Sequence, residues 1–134
     1  MFEIKSWILL VGRLFLASAF FTAGIRKVGG IDRAVGNIAD HHLPYPLVLA
    51  WAAAALEIGG GAMLILGLRA RWAGAAFFVY TGVLAVVFHG FWSMSGTQYT
   101  TQMATFYEHL GIMGGMLYVA VVGAGPLSLD RGRG

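Results

Sequence analysis

Cysteine is absent from the 134 residues, and charged residues are scarce. Without a thiol, the chain cannot itself exchange a dithiol for a disulfide or hold an iron–sulfur cluster. It also contains no phosphate-binding loop, no dinucleotide-binding glycine fingerprint and no metalloprotease helix motif. Only 11% of the residues are charged and 58% are hydrophobic, whereas a soluble domain of this length needs more charge to cover its surface. This composition predicts a membrane protein.

The hydrophobic residues fall into four blocks, each close to the ~20 residues that a helix needs to cross the hydrocarbon core of a bilayer. The blocks lie at about 7–24, 47–68, 72–92 and 104–122. Only helices satisfy their own backbone over such lengths in lipid. The sequence therefore predicts an all-α membrane protein, a four-transmembrane-helix bundle that forms a single domain over residues 1–134.

A cleavable signal peptide is the alternative interpretation of the first block, because Ala17-Ser18-Ala19 resembles a cleavage site. Arg13 interrupts the hydrophobic region that such a peptide requires, and the apolar run continues beyond Ala19. These two features favour a transmembrane helix.

The longest link, Ile25 to Pro46, joins the first and second blocks. Its apolar residues recur at helical spacing: Ile31, Ala34, Val35 and Ile38. The opposite face carries Asp32, Arg33 and Asn37. This pattern predicts a short amphipathic helix in the membrane interface.

Basic residues predict the orientation of the bundle. Four crossings place both termini and the 69–71 link on one side of the membrane. That side has five basic residues: Lys5, Arg69, Arg71, Arg131 and Arg133. The other side has three: Arg26, Lys27 and Arg33. Basic residues accumulate on the cytoplasmic side, so both termini are predicted to be cytoplasmic, and the positive net charge needs no nucleic-acid partner to explain it.

Ionisable residues within the blocks suggest a site. A charge at mid-bilayer costs at least ~2.5 kcal/mol, so these residues should be paired or hydrated. Glu57, His89 and Glu108 each align with small residues on their own helices, the side through which membrane helices pack. They are predicted to line a polar cavity that opens away from the cytoplasm, as catalytic residues. Three basic residues are predicted to bind a cofactor there: Arg13, Lys27 and His109.

Structural interpretations of the same residues stay open. Arg13 could reach the headgroups or pair with Glu57 as a structural bridge, and Lys27 could anchor a helix end. His89 and Glu108 could satisfy each other. No snorkelling route reaches from the middle of a helix, so Glu57 is the hardest to explain without a function.

No metal site is predicted. Haem b held between His89 and His109 is an alternative cofactor, since both residues fall at a similar depth on adjacent helices. Copper held by these two residues and nearby methionines is a weaker hypothesis, because methionine in such helices is usually a packing residue.

Four stretches together resemble the DoxX family of small bacterial membrane proteins. They are Arg13 with Gly24-Ile25-Arg26-Lys27, Glu57-Ile58-Gly59-Gly60 with Gly67 and Arg69, Gly114-Gly115, and the ending Gly123-Ala124-Gly125-Pro126-Leu127-Ser128-Leu129-Asp130. The resemblance implies a four-helix bundle in the bacterial inner membrane that is associated with redox systems. Family members are linked to thiosulfate:quinone oxidoreduction and to assemblies with superoxide dismutase and a sulfurtransferase. Relatives commonly carry Lys-Asn or a similar pair where this chain has Glu108-His109, so the role of that pair is not carried over to these two residues.

Two functions follow as hypotheses. In the first, the chain is an accessory subunit of a membrane redox system, and its cavity handles a quinone headgroup or its protons. In the second, it is a non-catalytic structural or assembly subunit that docks a larger enzyme. Its expected partners are the lipid bilayer and a membrane protein or a second copy of the chain. Enzymatic activity stays open, at most as a non-thiol, quinone-linked oxidoreductase subunit.

Overall fold

The computed structural model describes residues 1–131, and this part of the chain is helical without a strand. Arg133, one of the residues used in the orientation argument, lies outside the described residues. The helices are α1 (Ile4–Gly29), α2 (Ile31–Asp40), α3 (Pro46–Leu66), α4 (Ala70–Phe88) and α5 (Gly96–Val122). All but α2 are long and apolar enough to cross a membrane. The predicted four-span bundle is confirmed, and α2 is the predicted short helix.

Three helix boundaries differ substantially from the predicted blocks, and the first is the end of α1, which lies at Gly29 rather than near residue 24. The last helix begins at Gly96 rather than near residue 104. Its first turns are polar, and threonine hydroxyls there find hydrogen-bond acceptors within the helix itself. The Thr100 hydroxyl donates to the Gly96 carbonyl at 3.4 Å, and the Thr105 hydroxyl donates to the Thr101 carbonyl at 3.1 Å. Helix α4 ends at Phe88 rather than near residue 92. Hydropathy locates the part of a helix that can face lipid. The helix itself can extend beyond that part, because polar residues also form helical backbone hydrogen bonds.

The four long helices pack as two pairs. Helix α1 lies along α3, α4 lies along α5, and a smaller contact between α3 and α4 joins the pairs. The short helix α2 packs mainly on α3. Between the pairs, the Phe20 and Phe77 rings stack with their centroids 4.1 Å apart. A Cβ added at Gly60 would lie 2.7 Å from the Phe77 ring, so this glycine is what lets α3 and α4 approach.

The tail clasp, residues 123–131, folds back over the end of the bundle where α3 ends and α4 begins. The backbone N–H groups of Leu129 and Asp130 donate to the carbonyls of Leu66 and Gly67 at 3.0 and 2.9 Å. The Asp130 carboxylate in turn accepts from the N–H groups of Arg69 (2.8 Å) and Ala70 (2.9 Å). The clasp therefore satisfies backbone groups that the two helix ends would leave unpaired.

Gly67 is required at this corner. Its φ of +65° lies in the left-handed region, and an added Cβ would be 2.3 Å from the Cβ of Ser128. Only glycine combines this backbone with so close a neighbour.

Candidate functional site

Glu57 lies near the middle of α3 and is 2% exposed. Its carboxylate accepts hydrogen bonds from Lys27 Nζ at 2.8 and 3.0 Å and from the Tyr80 hydroxyl at 2.6 Å. These three residues, from α3, α1 and α4, form the Glu57 cluster. The carboxylate thus has a charged and a neutral donor, which is how a buried charge is retained in a membrane interior.

The close packing of α1 on α3 brings the Lys27 side chain within reach of the Glu57 carboxylate. Gly24, one turn before Lys27, lies against Glu57 and Ile58, and an added Cβ would be 2.7 Å from the Ile58 side chain. The backbones are therefore close enough for the Lys27 side chain to extend along α3 to the carboxylate. Lys27 is the partner of Glu57, so the predicted cofactor-binding lysine is here a partly exposed residue paired with a buried carboxylate.

An apolar cavity of about 570 Å³ lies between α2, α3 and α4, beside the Glu57 cluster. Its polar lining comes from four residues: Lys27, Asn37, Tyr80 and His89. The remaining lining is apolar and includes Leu49, Leu56, Val83 and Val87. Glu57 stands behind this lining, since both of its donors border the cavity. A cavity with apolar walls and a few converging polar groups is typical of a site for an organic ligand.

A second cavity of about 660 Å³ lies between α1 and α2. It is basic, with Arg26 and Arg33 in its lining, and it shares Lys27, Ala34 and Asn37 with the apolar cavity. Lys27 thus borders both spaces, so its ammonium group connects the buried carboxylate with a polar compartment.

The side chains of His89 and His109 lie together. Their ring centroids are 4.7 Å apart, His89 Nδ1 is 2.8 Å from Gln102 Oε1, and His109 Nδ1 is 2.8 Å from the Thr105 carbonyl oxygen. His89 lines the apolar cavity. The rings are at the distance of directly packed aromatic rings, so this arrangement leaves no room for a haem between them. Within residues 1–131, no group of three or more histidine, aspartate or glutamate residues is placed to hold a metal ion.

Glu108 does not join the other predicted catalytic residues. It is exposed on α5, and His89 bonds Gln102 instead of the predicted Glu108. Gly111, one of the small residues with which Glu108 aligns on α5, has open space where its Cβ would be. Alignment with this small residue was therefore a poor guide to whether the Glu108 side chain faces a neighbouring helix.

Arg13 lies with the clasp at the end of the bundle and is 3% exposed. Its guanidinium donates to the carbonyls of Ala124, Leu127 (2.9 Å) and Ile65 (3.5 Å). The hypothesis of an Arg13–Glu57 bridge is wrong for this structure. The Arg13 guanidinium donates to backbone carbonyls, and the Glu57 carboxylate accepts from Lys27.

Sequence reasoning missed Tyr80. The signal was available: a tyrosine inside an apolar helix needs a partner for its hydroxyl, and the same block holds no other acidic or basic residue before His89. The sequence could not show that this hydroxyl meets Glu57, because the two residues lie on different helices.

Known proteins resemble this chain along most of its length. The DoxX family model matches residues 8–90. The inner membrane protein YphA of Escherichia coli K12 is 32% identical over 124 residues, which cover 92% of this chain and 89% of that protein. The inner membrane protein YqjF of the same organism is 30% identical over 125 residues, covering 91% and 88%. No solved structure matches.

Proposed function

The chain belongs to the DoxX family, and we propose that it is an accessory subunit of a redox system in a bacterial inner membrane, where its apolar cavity takes a quinone headgroup. The names of its two relatives support the inner membrane. The observation that carries the quinone proposal is the position of the Glu57 cluster, with both donors to a buried carboxylate bordering one apolar cavity.

The chemistry of a quinone fits this lining. Its ring is apolar, and its two carbonyl oxygens accept hydrogen bonds, which the Lys27 ammonium, the Tyr80 hydroxyl or His89 can donate. Reduction to the quinol takes up two electrons and two protons. The electrons come from a redox partner protein, and Glu57, linked through Lys27 to the basic cavity, is the group that passes protons.

The test removes the titratable proton without removing the site. Glu57→Gln keeps the shape and the acceptor for Tyr80, so the protein should reach the membrane at normal abundance and still bind a short-chain benzoquinone. Quinone reduction by membranes that contain the variant should fall by about 10²-fold, the lower range for loss of an acid–base group. Glu108→Gln is the matched control, since it makes the same change on the exposed surface of α5.

A second pair of variants tests the cavity itself. Ala53→Phe should fill the apolar cavity and abolish benzoquinone binding, followed as quenching of tryptophan fluorescence. Ala55→Phe places the same ring on the exposed side of α3 and should bind like the wild type. Equal binding by both variants would contradict a quinone in this cavity.

A structural or assembly subunit is the second candidate. The observation in its favour is that the Glu57 carboxylate already has three hydrogen bonds, as a purely structural ion pair would. In that case Glu57→Gln retains full redox activity, Glu57→Leu lowers stability alone, and a membrane protein or second copy of the chain copurifies in fixed ratio.

We propose that both termini face the cytoplasm, on the basis of five basic residues against three. A reporter that is active only outside the cytoplasm should be inactive when fused at Gly134 and active when inserted in the link at 93–95. Activity at Gly134 would reverse the orientation and place the two cavities near the cytoplasmic face.

A further inference from the structure

A third cavity, of about 600 Å³, lies at the clasp end of the bundle, where α4 begins and α5 ends. Three arginines line it: Arg69, Arg71 and Arg131. Among the lining residues within the described range 1–131, Asp130 is the one acidic residue, so basic residues outnumber acidic ones there. The Asp130 oxygens accept from the N–H groups of Arg69 and Ala70 at the start of α4. The cavity is therefore an electropositive space.

Two of the three guanidinium groups are held in place. Arg71 donates to the carbonyls of Val121 and Val122 at the end of α5, and Arg131 lies over the Phe2 ring, with its central carbon 5.1 Å from the centroid. The Arg69 side chain makes no hydrogen bond or ion pair with any residue of the described range 1–131. Within that range, the Arg69 guanidinium therefore has no anionic partner, and it lies beside two guanidinium groups that are held in place.

The surroundings place this cavity at the level of the lipid headgroups. Arg69 lies between the end of α3 and the start of α4, Arg71 lies in the first turn of α4, and Arg131 follows the end of α5. Trp72 lines the cavity and is 77% exposed, and tryptophan is typical of the membrane–water interface. Val121 and Val122 are exposed on the adjoining surface of α5, where acyl chains would lie.

The basic cavity at the opposite end is less suited to an anion. It also has three basic residues and one acidic residue, Asp40. One of its cations, Lys27, is already neutralised by Glu57. None of its lining residues within the described part of the chain is aromatic.

We propose that the cavity at the clasp end binds the phosphate group of an anionic phospholipid. Guanidinium groups recognise phosphate oxygens with charge-assisted hydrogen bonds, and a basic pocket between membrane helices is a recognised setting for anionic headgroups. A free phosphate ion has the same oxygens. The exposed tryptophan and valines beside the arginines favour the lipid, because only a lipid has chains to cover them.

The test compares lipids on the purified full chain in nanodiscs that contain equal amounts of phosphatidylglycerol and phosphatidylcholine. Native mass spectrometry after release should show phosphatidylglycerol retained in excess. Arg69→Gln should lower that preference about fivefold, the factor for one basic residue at an anionic surface. Lys5→Gln is the control, since it removes an exposed charge at the same end of the bundle without touching the cavity.

Three results would overturn the proposal. Equal retention of the two lipids would exclude a selective site, and an equal loss of preference in Lys5→Gln would reduce the effect to general surface charge. Displacement of phosphatidylglycerol by millimolar inorganic phosphate would show that the cavity selects the ion rather than the lipid. Helicity measured by circular dichroism establishes that Arg69→Gln is folded, and Arg131→Gln, which alters the same cavity outside the helices, should lower the preference in the same direction.

Discussion

Replacing Lys27 with methionine is expected to lower the free energy of unfolding by about 3–5 kcal/mol, because it leaves the Glu57 carboxylate buried without its cation. Tyr80 alone cannot compensate, since its hydroxyl is a single neutral donor. Unfolding in mixed micelles, followed by circular dichroism against denaturant, measures the loss. Arg26→Met is the matched control, because Arg26 is an exposed neighbour on α1 and its loss should cost within about 0.5 kcal/mol.

The double variant Lys27→Met, Glu57→Leu makes this prediction specific. Replacing both charges with apolar groups removes the uncompensated carboxylate, so the double variant should be more stable than Lys27→Met alone. Arg13 and Glu57 share no partner, and the same cycle between those two residues should be additive. Additive losses for Lys27 and Glu57 would refute the coupling seen in the structure.

Arg13→Met should destabilise the protein by about 3 kcal/mol or more. The side chain is buried and donates to carbonyls of the clasp and of α3, and a hydrogen bond from a charged group contributes about 1.5–3 kcal/mol. The clasp should also detach, so limited proteolysis should cut between residues 123 and 131 faster than in the wild type. Arg13→Lys keeps the charge without the planar fork of donors, so its stability should lie between those of the wild type and Arg13→Met.

Arg71→Met is the control for this prediction. Arg71 also donates to backbone carbonyls, those of Val121 and Val122, but its bonds are exposed to solvent and should contribute less than about 1 kcal/mol. A clasp in Arg13→Met that resists protease as well as the wild type would contradict the assigned role of Arg13.

The sequence predicted the architecture well because the bilayer imposes lengths that can be counted. The four spans and α2 follow from apolar runs and periodicity, and Glu57 was recognised because a carboxylate at mid-helix is costly in lipid. The start of α5 was missed because its first turns are polar, although hydroxyl groups there bond the backbone. The cost of a charged residue in lipid and the period of a helix both depend on neighbouring residues in the sequence, so both can be predicted from it.

Partnership between helices was the part that sequence could not show. Lys27 resembled an interfacial anchor until the close approach at Gly24 brought it to Glu57. Arg13 shares a helix face with Lys27, yet Arg13 binds carbonyls of the clasp at the end of the bundle, and Lys27 binds a carboxylate near the middle of α3. Helix faces give directions around an axis, whereas the offset of one helix along another depends on packing details such as a single glycine.

The clasp also sets an order of events during synthesis. Arg13 enters the membrane with the first span, while the carbonyls that it binds in the clasp are those of Ala124 and Leu127, 111 and 114 residues later. Every span has been translated before those oxygens exist. Until then, the Ile65 carbonyl is the one of its three backbone acceptors that Arg13 has, so this end of the bundle closes only after the last span has been made.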